Sequence, residues 1–510
     1  MMRSAGPPRL SIATLAGLPP SSDRVQLPCV DPRSTTVGLV HLGIGAFSRA
    51  HLAAFTEDAA AAAGEDCWGL LGVSQRSRRV VDQLAPQDGL YGILSTGRAS
   101  TSLRLIGSVR GIAFQPGESE RVLGAIATDT THVVSLTVSE KGYRRAHSGG
   151  PDLTDPDLAA DVAALREELL APPPAARAGA PARTPIGALV RGLARRERSH
   201  GAPLTVVCCD NMAANGSVVA ELVAGILDAV PGPRAAALRS WVDEWVRFPV
   251  TMVDRITPAT TEAHRAEATA LLALSDEGLV IAEPFREWVI EDAFAGPRPR
   301  WELAGARLTR DVEPYERAKL RMLNGSHSAI AYIGALRGHR KIDRAMADDV
   351  VLSTACRLMD EDVIPTLDPP EGVDLASYRD EILDRFANPG TGYTTDQVAG
   401  DGSQKLPIRI LDTVADRLAA GVVPSAATQV VAAWIVYVAR RRDVHGRELP
   451  LEDPWADRLV AAAAGPDGSL VDRMLSLREV FPAEIAEHDG FRSALRAETA
   501  SLLRGLDDHG

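Results

Sequence analysis

Residues 36–45 read TVGLVHLGIG, and residues 49–63 read RAHLAAFTEDAAAAA ahead of Gly64. The β-rich apolar run Thr36–Leu42 predicts a strand, Gly43-Ile44-Gly45 a tight turn, and the alanine-rich stretch a helix closed by glycine. The same grammar repeats downstream. WGLLGVS (68–74), HVVSLTV (132–138) and LTVVCC (204–209) are further continuous apolar runs. Strands buried on both faces of a parallel sheet read this way, and helical segments lie between them. The alternation predicts an α/β fold: an N-terminal Rossmann-like doubly wound domain over 34–300. From about residue 300 strand signals fade and amphipathic helical patterns take over, so 301–510 is expected to be a mostly α-helical second domain. The first ~33 residues are proline-rich and read as an irregular lead-in, and APPPAARAGAPARTP (171–185) reads as a surface loop.

Composition narrows the function. The 510 residues carry 67 acidic against 55 basic side chains, a net charge of −12. With no basic block, nucleic acid is not an expected partner. Apolar runs such as Val430–Ala439 fall well short of the ~20 residues a membrane helix needs. The N-terminus makes a poor signal peptide. Five cysteines, without a C-x-x-C pair, make neither a disulfide framework nor a thiolate metal site. The expectation is a cytoplasmic, metal-free protein, a monomer or small homo-oligomer, with a small-molecule substrate.

Gly43-Ile44-Gly45 between strand and helix is the pattern of a dinucleotide phosphate turn. A purely structural turn would read alike, since Ser48 stands where the third glycine of the fingerprint belongs. After the second strand VSQRSRRV (73–80) places Arg76, Arg78 and Arg79 where an acid would hold the ribose 2′-hydroxyl; a solvated basic loop would read alike, and arginines able to hold a 2′-phosphate keep NADP open. SLTVSEKGY (135–143) puts Glu140 beyond a strand end. CCDNMAANG (208–216) puts Asp210 and Asn211 at another, as helix caps by default, with Asn215-Gly216 as a turn. Asp254 and Arg255 follow in FPVTMVDRITPAT (248–260), where a salt bridge is the plain reading. Lys405 and Arg409 lie in a Gly- and Pro-marked loop, DGSQKLPIR (401–409).

KLRMLNGSH (319–327) is the most telling stretch for chemistry. On an α-helix Asn324 sits about 140° and His327 about 80° round from Lys319, so the three share one arc. An amine, an amide and an imidazole facing one cleft suit alcohol oxidation or ketone reduction. A solvated helix face with an incidental histidine would carry the same residues.

Six blocks in order resemble the polyol-specific long-chain dehydrogenases, which include mannitol 2-dehydrogenase, arabinitol dehydrogenase and fructuronate reductase. They are HLGIGAFSRAH (41–51), SLTVSEKGY, CDNMAANG (209–216), MVDRITP (252–258), EPFREWVIED (283–292) and KLRMLNGSHS (319–328). The resemblance runs from about residue 36 almost to the C-terminus. It implies Lys319 as general acid/base, Asn211 and Asn324 as oxyanion donors, and Glu140 as proton relay. It also implies His327, Asp254 and Lys405 as substrate ligands, Gly43, Ile44, Gly45 and Phe47 at the cofactor, NAD as that cofactor, and no metal; Arg78 remains the candidate for a 2′-phosphate. SEKGY, KLRMLNGSHS and DGSQKLPIR are closer to fructuronate reductase, which interconverts D-fructuronate and D-mannonate. Arg409 is the candidate clamp for that substrate's carboxylate. Gln397 lies where mannitol dehydrogenases place an arginine, and Ser48 where the family usually has histidine. A polyol 2-dehydrogenase acting on mannitol or arabinitol is the alternative, and a non-catalytic NAD(P)-binding sensor the reading from another class.

Overall fold

A computed structural model describes residues 6–97, 100–146, 149–171 and 179–507, with the backbone alone at Glu140. It divides into two compact units, Met1–Val312 and Glu313–Gly510.

The first unit is built on a six-stranded sheet: β1 (Val37–Leu42), β2 (Gly69–Ser74), β3 (Val109–Phe114), β4 (Val133–Leu136), β5 (Leu204–Cys208) and β6 (Val246–Arg247). Its order is β3-β2-β1-β4-β5-β6 and every pair is parallel. This is the doubly wound order, with its switch point between β1 and β4. Both faces are buried. On β1 and β4, Val40, Leu42, Val134 and Leu136 enter one core while Leu39 and Val133 enter the other.

Two smaller sheets complete the unit. One joins Val25–Gln26, Thr101–Ile106, Tyr91–Thr96 and Val280–Ala282. The lead-in is therefore not irregular throughout. Val25–Gln26 pairs in parallel with Thr101–Ile106, and Leu10 is fully buried among Leu90, Leu94 and Leu105. Proline content hid a segment in which Leu10, Ile12, Leu15, Leu18, Val25 and Leu27 pack into one core. The other sheet pairs Thr251–Asp254 with Glu287–Glu291, which in turn pairs with Arg307–Thr309. That last strand lies beyond residue 300, and it belongs to the first unit. In the proline-rich insertion, residues 172–178 lie outside the described residues.

The second unit is helical. Gly325–Leu336 is buried along almost its whole length, and Ser425–Arg440 runs through the same core. Three segments are π-helical: Lys319–Asn324, Leu358–Val363 and Pro407–Leu411. The stretch Asp401–Arg409 is thus not a loop. It forms the helix Gly402–Leu406 and the start of a π turn. Pro407 lacks an N–H, and the widened turn absorbs that loss without ending the helix.

Arg196 shows how the sheet edge is fixed. It is fully buried and donates to the carbonyls of Ile126 and Thr128, ahead of β4, and of Ala202 and Pro203, ahead of β5. One guanidinium holds the entries to two neighbouring strands. Arg196→Met would leave these carbonyls unpaired and is expected to destabilise the protein by about 2–4 kcal/mol in a denaturant titration. An unchanged midpoint would show that other contacts set the strand entries.

Candidate active site

The first unit collects its candidate residues at the carboxyl ends of β1, β4 and β5. Gly43 has φ +103°, and a Cβ there would lie 2.0 Å from the Thr137 carbonyl oxygen, so no other residue fits between β1 and β4. At Gly45 a Cβ would meet only the Gly43 oxygen at 3.8 Å. That side of the turn opens onto space at the mouth of the crevice, which fits a pyrophosphate approached by backbone. Ser48 fills the third glycine's place and is buried. Its Oγ accepts from the Gly45 N–H at 3.0 Å, closing the short helix Ala46–Ala50 onto the turn. Ile44 points into the core, against Gly72 of β2, and its N–H bonds to the Val73 carbonyl at 3.0 Å. Phe47 stacks on His51 with ring centroids 5.0 Å apart. Arg78 is exposed, 3.7 Å from Asp82 and over the ring of Phe114 at the end of β3.

Beneath the turn lies a histidine, the first residue of the HLGIGAFSRAH block, to which the sequence reading gave no role. His41 is fully buried in β1, with Nδ1 2.8 Å from Ser135 Oγ and Nε2 2.9 Å from Thr137 Oγ1. Thr137 Oγ1 donates to the Gly43 carbonyl at 2.8 Å. It must therefore accept from His41, which assigns the proton to Nε2. Burial lowers the His41 pKa to about 4, so the ring stays neutral. A polar side chain inside the apolar run TVGLVHL was the available signal.

Asp210 is not a helix cap. Its carboxylate accepts from the Val138 and Ser139 N–H groups at 2.8 and 3.1 Å and from the Tyr143 hydroxyl at 2.6 Å. It thereby holds the loop in which Ser139 takes φ +67° and Glu140 opens a short 3-10 turn. The Glu140 side chain lies outside the described residues. Asn211 follows Asp210 and is exposed at the end of β5. Asn215 is buried within the first helical turn and does not form a free turn with Gly216. Asp254 ends its strand, buried, opposite Glu287 in register. Its neighbour Arg255 binds backbone carbonyls, those of Glu283 at 2.9 Å and of Ala50. Burial, and then the charge of Arg286, lowers its pKa to about 10.

The second unit carries the other candidates. Lys319 and Asn324 begin and end one π turn, and Lys319 is 7% exposed. The sequence-based angle assumed an α-helix. In a π turn hydrogen bonds run five residues back, and Gly325 N–H bonds to the Leu320 carbonyl, so residues five apart stand one above the other. Lys319 and Asn324 are closer to alignment than α periodicity gives. His327 stacks on Phe386 with centroids 4.7 Å apart and lies edge-on to Tyr393. Arg409 is mostly buried. Its Nη1 lies 3.1 Å from Ser328 Oγ and 3.4 Å from the Asn324 carbonyl. Burial, with Arg409 as the next cause, lowers the Lys405 pKa, and Lys405 Nζ donates to the Gly400 carbonyl at 2.7 Å. Gln397 accepts from the Thr394 N–H in a capping box. Within this unit the structure brings Lys319, Asn324 and Arg409 to adjoining turns of two packed helical segments.

Comparison with known proteins agrees with both units. The models of the mannitol dehydrogenase Rossmann domain and C-terminal domain match residues 37–303 and 311–503. D-mannonate oxidoreductase of Escherichia coli (strain K12) is 37% identical over 471 residues, 91% of this chain and 93% of that protein. Among solved structures, Pseudomonas fluorescens mannitol 2-dehydrogenase in ternary complex with NAD and D-mannitol is 32% identical, with a TM-score of 0.81 over 98% of each chain. A substrate-free D-sorbitol dehydrogenase is 29% identical with a TM-score of 0.87, over 98% of this chain and 99% of that one. A doubly wound first unit, a helical second unit and two family models that together span most of the sequence place this chain in the mannitol dehydrogenase family, NAD-dependent oxidoreductases acting on secondary alcohols of sugars and polyols.

Proposed function

We propose that the protein interconverts D-fructuronate and D-mannonate, with Lys319 as the general acid/base. The observation that carries the substrate reading is Arg409. Its Nη1 reaches the carbonyl of Asn324, which puts a positive charge beside the catalytic helix. Nε and Nη2 have no hydrogen-bond partner among the described residues. Fructuronate differs from fructose in carrying a carboxylate at the chain end, and burying that anion requires a cation. A guanidinium with two donors to spare suits it. Gln397, committed to its own capping box, offers no replacement for the arginine that mannitol dehydrogenases carry there. The E. coli D-mannonate oxidoreductase relationship points the same way, while the mannitol 2-dehydrogenase relationship supports a polyol substrate as the second reading.

The Gly43–Ser48 turn would hold the pyrophosphate of the cofactor, whose nicotinamide would accept hydride in its oxidised form and donate it in its reduced form. In oxidation the neutral amine of Lys319 takes the hydroxyl proton, and in reduction its ammonium returns it. By the family resemblance, Asn211 and Asn324 would be the amide donors to the oxygen as negative charge develops. The same resemblance would make Asp254, His327 and Lys405 the ligands of the remaining hydroxyls and Glu140 a proton relay.

Lys319→Ala is expected to lower kcat by about 10²–10⁴-fold while NADH affinity, read by fluorescence titration, stays unchanged. Retention of kcat within about threefold would remove Lys319 from the chemistry. In the intact protein, oxidation rates should rise with pH as the amine loses its proton, and reduction rates should fall. Flat profiles in both directions would contradict the role.

Arg409→Ala is expected to cost about 2–4 kcal/mol in kcat/KM for fructuronate and little for fructose. A uniform loss for charged and neutral ketoses would turn the reading to a polyol 2-dehydrogenase. Replacing Arg78 and Arg79 with alanine should raise KM for NADPH more than for NADH. Equal effects would mean that neither arginine senses the 2′-phosphate.

A further inference from the structure

At the carboxyl end of β5 a fully buried asparagine joins two sheets. Asn215 Oδ1 accepts from the Thr251 N–H at 2.9 Å, and its Nδ2 donates to the Thr251 carbonyl at 2.9 Å and the Asp210 carbonyl at 3.0 Å. The amide thus pairs with Thr251 as a neighbouring strand would, while its third bond holds the backbone immediately before Asn211. Thr251 Oγ1 adds a bond to the Cys208 carbonyl at 2.5 Å. Gly216 permits the approach, because a Cβ there would lie 2.3 Å from the Phe248 carbonyl oxygen. Asp210 completes the arrangement through its carboxylate, which takes the Val138 and Ser139 N–H groups and the Tyr143 hydroxyl.

We propose that Asn215 and Asp210 form a brace, as positioning residues, that sets Asn211, Asp254 and the Glu140 loop relative to one another. Asp254 lies three residues beyond Thr251 on the same short strand. Asn211 adjoins the residue whose carbonyl and carboxylate are both engaged, and Glu140 follows the pinned Ser139. Two of these segments leave the paired strands β4 and β5, the third lies in a separate sheet, and among the described residues no backbone ladder joins that sheet to the other two. The brace does so with two side chains. The chemistry of Asn215 is specific: it needs one acceptor and two donors in a plane, which an amide has and a carboxylate lacks. The inference rests on the proposed roles of Asn211 and Asp254.

The test compares Asn215→Asp, Asn215→Ala and Tyr143→Phe with Asn211→Ala, using purified protein and NADH with a keto-sugar panel. Asn215→Asp preserves shape but turns a carboxylate toward two carbonyl oxygens. It is expected to lower kcat/KM for the keto-sugar by about ten- to a hundredfold, the scale of a small misplacement of reacting groups. KM for NADH should stay within about twofold, because among the described residues neither Asn215 nor Asp210 bonds directly to the Gly43–Ser48 turn, which Thr137 and His41 hold. Protonation restores one donor, so the deficit of Asn215→Asp relative to wild type should shrink as pH falls, whereas that of Asn215→Ala should not. Tyr143→Phe deletes one hydroxyl, keeps the packing, and should lower kcat/KM several-fold with the same split. If Asn211→Ala loses activity while Tyr143→Phe matches wild type, the brace is overturned, whether or not the Asn215 variants fold. Parallel losses in KM for NADH and for the sugar would also overturn it, as general destabilisation. If Asn211→Ala itself retains activity, the site reading fails first and takes the brace with it.

Discussion

The parallel pairing of β1 with β4 is the constraint on which the first unit depends. It brings Leu42 beside Leu136 and His41 beside Ser135, and it makes this edge the switch point of a doubly wound sheet, where a crevice opens at the strand ends. The approach is so close that the carbonyl of Thr137 occupies the place of a Cβ at residue 43. His41 then locks the pair from below through Ser135 and Thr137, and Thr137 passes the constraint to the Gly43 carbonyl. The geometry of the cofactor turn is thus set by strand pairing and a neutral imidazole, with the glycines making room.

Buried arginines extend that frame by bonding to backbone oxygens. Arg49 reaches the carbonyls of Gly45 and Gly278 and so ties the turn to the neighbouring four-stranded sheet. Arg255 does the same between the Ala46–Ala50 helix and Glu283. Desolvation lowers the pKa of both, the cost of burying a cation whose partners are dipoles. An overall acidic chain therefore keeps several of its cations inside, as structural clamps.

In the second unit the corresponding constraint is the contact between two π turns. A Cβ on Gly325 would lie 2.9 Å from the Arg409 carbonyl oxygen, and Arg409 returns a bond to the Asn324 carbonyl. π turns give up regular hydrogen bonding and tend to persist where function holds them. Here they carry Lys319, Asn324 and Arg409. The wider turn brings Lys319 and Asn324 closer to alignment than α periodicity would.

The sequence by itself determined the strand-turn-helix start, the strands β1, β2, β4 and β5, the helical second half and the family. These follow from periodicity, from glycine where backbone must pass close, and from short blocks such as KLRMLNGSHS. It also singled out Lys319, Asn324, Asp254 and Arg409 as candidates by residue type. Tertiary structure alone decided the rest, because the deciding partners are distant in the chain. The N-terminal segment looked irregular until its pairing with Thr101–Ile106 gave it an edge. Asp210 looked like a helix cap until the Val138–Tyr143 loop, some seventy residues earlier, supplied its donors. Asn215 looked like a turn until Thr251 bonded to it. The π turns could not be read from α periodicity, since a one-residue change in hydrogen-bond spacing is set by what packs against the helix and leaves little local trace in the sequence.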